Sequence, residues 1–453
     1  MIEKKKELST RNLIGYGLGA IPAGLLVYIF NLKYIDLFYD DLKLFPILFV
    51  IGQIIYMTIN ALNDPLLGQL SDRTNREKWG SRRIIYIKYG APIWAITFLL
   101  VWFPWSLDNQ WIIFIHYVIS ICLFDTMFTL VVLVWMALLP EMTSDIDERN
   151  KGNFLAQVFG AIFVIPFFII IGDMSPLSTE FQILMIIVAI ISTAFLLLVA
   201  YLCEERPEFQ KDTTFSLWKS AKETITMKSF LLFIGFNFCN VFNGSIGLSY
   251  LFAYSFILGS YGTIIYLLVF IIIGYGANIF CMRLRPKWGM RKIILRFGWI
   301  KVLFSLITFI ILVTLQNPLI AIISLMITTF FGGYGVFVIP IMYLSVDEDE
   351  LKHGIRREGM FLGINALITK PASSLGPILA TFILGTFGYI QGSPTQPASA
   401  LLGIDILFLL VPAIVTAISL IFIHFYPHHG EKLEKMREEL NKLHQEKLNR
   451  LSD

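Results

Sequence analysis

About twelve apolar stretches, each near the ~20 residues that a helix needs to cross a bilayer, divide this 453-residue chain. They lie roughly at 12–36, 45–70, 84–105, 110–140, 153–172, 181–202, 229–257, 262–282, 293–315, 318–345, 359–386 and 400–426. Hydrocarbon offers no partner to a backbone N–H or C=O, so segments of this kind must satisfy themselves as helices. The composition agrees: only 15% of residues are charged, where a soluble chain carries about 25%. The expected fold class is therefore all-α and integral to the membrane.

Charge gives the orientation. When loops are assigned to alternate sides, 32 of the 36 Lys and Arg fall on one side; the exceptions are Lys33, Lys43, Lys301 and Lys370. Basic loops stay on the cytoplasmic side, so both termini are expected there, most simply at the cell membrane. The start MIEKKKELSTRN is basic like a signal peptide, but the apolar run behind it is too long and lacks an obvious cleavage site, so it reads as the first span. The four cysteines sit in or at the ends of helices without metal-ligand spacing and read as packing residues.

An internal repeat marks two halves. The loop after the second stretch reads 76-REKWGSRR-83, and that after the eighth reads 285-RPKWGMRK-292, five of eight positions being identical at a spacing of 209 residues. Repeats of this kind are a signature of secondary transporters, with the solute site near the midplane. The expected organisation is a six-helix bundle over 1–202, a cytoplasmic linker over 203–228, a second bundle over 229–427 and a cytoplasmic helix over 428–453. In that last helix Leu433, Met436, Leu440 and Leu443 follow 3-4-3 spacing, and Glu431–Lys435 and Glu438–Lys442 form i,i+4 pairs. Of the three fates open to it (lying on the membrane, docking, fraying), fraying is the expectation.

A charge at mid-bilayer costs a few kcal/mol or more, so an ionisable group there points to function. Asp64, Asp125 and Lys370 stand well inside their stretches, whereas Asp36 and Asp405 read as interfacial and His116 as a packed or pore-lining residue. Asn60 and Asp64 share a helix face, as do Asp125 and Thr129. Pro65 has no amide hydrogen, so the Ala61 carbonyl loses its helix partner. Asn60, Asp64, Asp125 and Thr129 thus offer oxygens of the kind that bind a hard cation such as Na+, with the two carboxylates offsetting its charge. A compatible second reading pairs Asp64 with Lys370 to hold the halves together. Shifting Asp64 by the repeat spacing lands on Ile273, so a cation site belongs to the first half. Asn237, Asn240 and Asn243 recur at i,i+3 steps in the seventh stretch and are candidate solute contacts.

These residues resemble the major facilitator superfamily and, within it, the glycoside–pentoside–hexuronide:cation symporters typified by melibiose permease. ALNDPLLG resembles that family's helix-2 cation signature. GQLSDRTNR resembles the superfamily's cytoplasmic loop motif, carried here by Gly68, Asp72, Arg73 and Arg76. VDEDELKHGIRREGM with ITKPASS resembles the entry to helix 11, and LGTFGYIQG with ALLGIDILF the approach to helix 12. The resemblance implies twelve helices in two bundles and cation-coupled symport. Three departures bear on the solute. Where that family has a first helix-2 carboxylate this chain has Asn60, its helix-4 aspartate falls on Val132, and its helix-1 sugar-binding aspartate falls on Gly24.

YGLGAIP, LFDTMFT, ITKPAS and FYP also resemble the eukaryotic branch that carries lysophosphatidylcholine with sodium. That branch implies Na+ at Asp125, and an apolar cavity lined from Val132, Trp135 and Met136 would suit an acyl chain, lipid-facing packing being the alternative for these residues. The leading expectation is accordingly a Na+-coupled symporter working by alternating access, with Na+ at Asp64 and Asp125 assisted by Asn60 and Thr129. Lys370 would sense those charges or hold an anionic solute group. The solute leans to a lysolipid-like amphiphile, with a sugar or glycoside as the alternative and H+ as the alternative ion. A uniporter or a non-transporting solute sensor is the reading of another class. No nucleophile–base pair, metal cluster or phosphate loop is apparent, so no enzymatic activity is expected and the only cofactor is the coupling ion. The expected partners are the solute and membrane lipid, with no nucleic acid, for a chain that acts as a monomer.

Overall fold

The computed structural model describes residues 8–72, 74, 76–81, 83–143, 146–172, 174–205, 224–315, 317–354 and 357–452. Those residues are almost entirely helical. In chain order the long helices are α1 (Thr10–Asp41), α2 (Pro46–Asp72), α3 (Ile84–Trp102), α4 (Gln110–Met142), α5 (Ile146–Ile171) and α6 (Thr179–Leu202). After them come α7 (Lys228–Ser249, resuming as Leu251–Leu258), α8 (Ser260–Trp288), α9 (Met290–Leu315), α10 (Pro318–His353), α11 (Glu358–Thr386), α12 (Ala398–His424) and α13 (Glu431–Ser452). Ten of them are long and apolar enough to cross a membrane among the described residues. α5 and α8, the other two of the expected twelve, have 26 and 29 residues, ample length for a span.

Local sequence sets several starts. Asn109 accepts from the amides of Trp111 and Ile112 at the head of α4, Ser178 from Phe181 at the head of α6, and Asn317 from Leu319 and Ile320 ahead of Pro318 in α10. Each cap satisfies amides that a helix start otherwise leaves open.

The chain divides into two compact units, one built on α1–α6 and the other on α7–α13. Within the first, α4 packs on α2 and α3, and α6 on α3 and α1. Within the second, α10 packs on α8 and α9, and α12 on α9. The repeat read from the sequence therefore extends to helix pairing. It extends to the backbone as well, because the glycine of each Lys-Trp-Gly copy has positive φ: +75° at Gly80 and +71° at Gly289. Only glycine adopts that conformation without a steric penalty, which explains why this residue persists in both copies.

Three expectations need correction. Asp36 and Asp405 are not interfacial: they are 8% and 3% exposed, each within or beside a turn of π-helix (Asp36–Asp41 and Ile406–Leu410). The C-terminal helix does not fray from the second unit. Met436 is 6% exposed there, and Leu433 packs against the same apolar cluster beside Leu351 of α10. Nor do Glu431–Lys435 and Glu438–Lys442 close as ion pairs among the described residues. Lys435 instead lines a cavity of about 470 Å³ with Glu348, Lys352, His428 and Lys432. In that cavity Glu348 accepts from Ser229 and Lys352, and His428 bonds the same carboxylate at 2.7 Å.

Candidate functional site

The first unit carries a buried polar seam where α2 meets α4. On α2 it runs through Gln53, Tyr56, Asn60 and Asn63, a 3-4-3 spacing that keeps all four on one face. On α4 it runs through Tyr117, Asp125, Thr126 and Thr129. Every member except Thr126 is less than one-tenth exposed.

Asp125 is its centre. The Tyr56 hydroxyl donates to Oδ1 at 3.1 Å, and the Asn63 amide donates to Oδ2 at 3.1 Å. The same Asn63 nitrogen donates to Thr126 Oγ1 at 3.2 Å, and Thr126 donates to the Cys122 carbonyl at 2.7 Å. Asn60 donates to the Tyr56 hydroxyl at 3.4 Å. Farther along the seam, Gln53 donates to Tyr117 at 2.6 Å and Tyr34 at 3.2 Å. Three buried oxygens, Gln53 Oε1, Asn60 Oδ1 and Thr129 Oγ1, have no hydrogen-bond partner among the described residues. Buried acceptors are rarely left open, since each costs about 1–3 kcal/mol. A carboxylate with neutral oxygens in the same seam is the donor set that a hard monovalent cation takes.

Of the residues expected from the sequence, the seam brings together Asp125, Asn60 and Thr129. It adds Tyr56 and Asn63, which the sequence reading missed although the 3-4-3 stripe was visible. The Asp64 backbone belongs to α2, but its side chain lies outside the described residues, as do all of Arg73 and the surroundings of Gly68, Asp72 and Arg76. Ile273, the repeat counterpart of Asp64, is half-buried on α8.

The remaining candidates are dispersed. Trp135 is buried against α1: its indole N–H donates to the Tyr16 carbonyl at 2.9 Å and its ring stacks on Tyr16. A Cβ placed at Gly19 would lie 2.2 Å from that indole nitrogen, so α1 approaches α4 only because residue 19 is glycine. Val132 is half-buried and Met136 is exposed. In the second unit, Asn237 donates to Asn365 of α11, Asn240 to its own helix at Phe236, and Asn243 to Thr416 of α12. These three amides thus have three separate partners, although Asn243 Oδ1 stays open among the described residues. Lys370 is half-buried on α11. His116 is fully buried, bonded through Nε2 to the Leu100 carbonyl at 2.7 Å, and is a packing residue.

A separate anchor sits at the start of α3. Glu205, just beyond α6, accepts through one oxygen from Ser81 Oγ at 2.8 Å, the Arg83 amide at 2.6 Å and the Ile84 amide at 2.8 Å. Arg83 itself reaches back to Ser71 Oγ of α2 at 2.6 Å.

With this geometry in hand, comparison with known proteins places the chain. The family model described as MFS/sugar transport protein matches residues 15–429. The chain belongs to this family. It is 25% identical to the putative glycoside/cation symporter YagG of Escherichia coli (strain K12), over 96% of each chain. To the isoprimeverose transporter of Lactiplantibacillus pentosus it is 24% identical, over 93% of this chain and 88% of that one. A vertebrate relative, transmembrane protein 180 of Gallus gallus, is 23% identical over 93% of each. Among solved structures, a D-xylose–proton symporter superposes with a TM-score of 0.60 at 13% identity, covering 92% of this chain and 96% of that one. This likeness establishes the major facilitator fold and nothing finer. As a member of the MFS/sugar transport family the chain is an integral membrane transporter, and family membership is what sets enzymatic chemistry aside.

Proposed function

We propose that this chain is a cation-coupled symporter of a small hydroxylated solute of the glycoside class. The observation that carries the reading is the α2–α4 seam, where one buried carboxylate, Asp125, lies in line with open neutral oxygens in a membrane-spanning bundle. Na+ suits this donor set better than H+, because a proton needs one oxygen whereas a desolvated metal cation needs several. Asn63, Asn60 and Thr129 are its neutral ligands in this reading, and Asp64, on the same helix as Asn60, is the second carboxylate. Lys370, half-buried on α11, is the candidate contact for an anionic group of the solute in the second unit. Coupling follows if ion and solute both favour one state of an alternating-access cycle. The basic-loop bias supports cytoplasmic termini in the cell membrane, and one chain with its surrounding lipid suffices as the working unit.

The glycoside class is preferred to the lysolipid because relatives matching nearly end to end are named as glycoside or isoprimeverose carriers.

The test is uptake into proteoliposomes of a labelled α-galactoside, a labelled xyloside and labelled lysophosphatidylcholine, each with and without an inward Na+ gradient. Asp125→Asn protein runs in parallel. Na+-driven uptake of either glycoside, lost in the variant, is the expected result. Na+-driven lysolipid uptake would restore the amphiphile reading and discard the glycoside. Uptake driven equally well by a proton gradient would discard Na+, and gradient-independent flux unchanged in the variant would make the protein a uniporter. Tight solute binding without flux would make it a sensor.

A further inference from the structure

The second unit holds a carboxylate that the symport reading does not use. Asp405 lies seven residues into α12, where the helix changes to a π-turn over Ile406–Leu410. It is 3% exposed, and its Oδ1 has no hydrogen-bond partner among the described residues. The elements packed on this part of α12 are the Leu251–Leu258 segment, α9 and α11.

Their titratable groups are few. Leu251–Leu258 contributes only Tyr254, fully buried and stacked at 4.5 Å on Phe408, three residues beyond Asp405. The residues after α11 contribute Tyr389, whose ring meets Phe256.

No cation of α9 or α11 is level with Asp405. Arg291, at the start of α9, bonds the carbonyls of Ile423 and His424 at the far end of α12, and Gly298 abuts Leu420. The two helices therefore run antiparallel, and Asp405 is level with the last turns of α9, about 15 Å beyond Lys301, its nearest cation along that helix. On α11, Gly403 touches Phe387, which is 17 residues and about 25 Å past Lys370. Within α12 itself the only other titratable residue is His424.

Among the described residues Asp405 has neither cation nor donor, and a carboxylate so placed cannot stay ionised in hydrocarbon, because several kcal/mol of desolvation are uncompensated; it takes a proton instead. We propose that Asp405 is a proton-binding site of the second unit, separate from the α2–α4 seam, loaded in the state seen here and emptied when α12 exposes it to water. The proton is then a ligand that selects this state. Raising pH disfavours it by up to tenfold per pH unit through one group, whatever ion the seam binds.

The test is infrared spectroscopy of the purified full-length protein at neutral pH, with Asp405→Asn as the comparison, since asparagine matches the neutral acid in size. A carboxylic-acid C=O band that shifts in D2O and vanishes in Asp405→Asn is expected, with the variant keeping its melting temperature. A second arm follows solute uptake against pH at saturating Na+. The wild type should show a one-proton slope that Asp405→Asn flattens. An unchanged band in Asp405→Asn, or no such band in the wild type, would overturn the proposal. So would a variant that melts well below the wild type, which would mark the carboxylate as ionised and paired. Loss of Na+ dependence with the band intact would instead refute the seam reading and leave Asp405 standing.

Discussion

Tyr56→Phe isolates the hydroxyl that donates to Asp125 in the seam. The ring stays, so packing is preserved, but Asp125 Oδ1 loses the Tyr56 hydroxyl at 3.1 Å while Oδ2 keeps Asn63, and Asn60 loses its acceptor at 3.4 Å. A hydrogen bond to a buried charged group contributes about 1.5–3 kcal/mol. If the cation takes the Asp125 oxygen that Tyr56 now occupies, the hydroxyl stabilises only the empty state. Removing it then raises ion affinity, and ~1.5 kcal/mol corresponds to about tenfold. The assay is a Na+ titration of the purified protein, by calorimetry or by the rise in melting temperature with Na+ concentration. The variant should bind Na+ about tenfold more tightly while its ion-free form melts lower. Unchanged affinity would mean the ion does not compete for that oxygen, and weaker binding would make Tyr56 itself a ligand. Either result refutes displacement.

Two further predictions concern the frame around the site. Glu205→Ala removes the acceptor of two backbone amides and a hydroxyl at the head of α3, and should lower stability by about 2–4 kcal/mol, read as a clear fall in melting temperature in detergent. Met436→Ser should loosen α13 by roughly 1–3 kcal/mol, seen as faster limited proteolysis within 431–452 with transport retained.

The helices and the two-copy plan were legible because bilayer length and the Lys-Trp-Gly repeat are written locally. The depth of Asp125 was legible for the same reason. The i,i+4 spacing from Asp64 selects Asn60 and is silent on Asn63. It is α4, a partner absent from local spacing, that turns Asn63 toward Asp125. Asp36 and Asp405 misled because position near the end of an apolar run says nothing about neighbouring helices that cover it. Asp36 is met there by its own buried partner, Lys33, at 2.9 Å. Along α13, i,i+4 spacing likewise does not foresee that Lys435 lies over a cavity lined by groups of α10 and of the turn before α13.

Glu205 has a mechanical consequence. It is the point at which the chain leaving α6 is fastened to the backbone of Arg83 and Ile84, and α3, which starts there, leans along its length on α4. Tension on the chain beyond residue 205 is thus delivered first to the head of α3 and through it to the helix that carries Asp125. Glu205 is in this respect a cleat that ties the end of α6 to the helices of the α2–α4 seam.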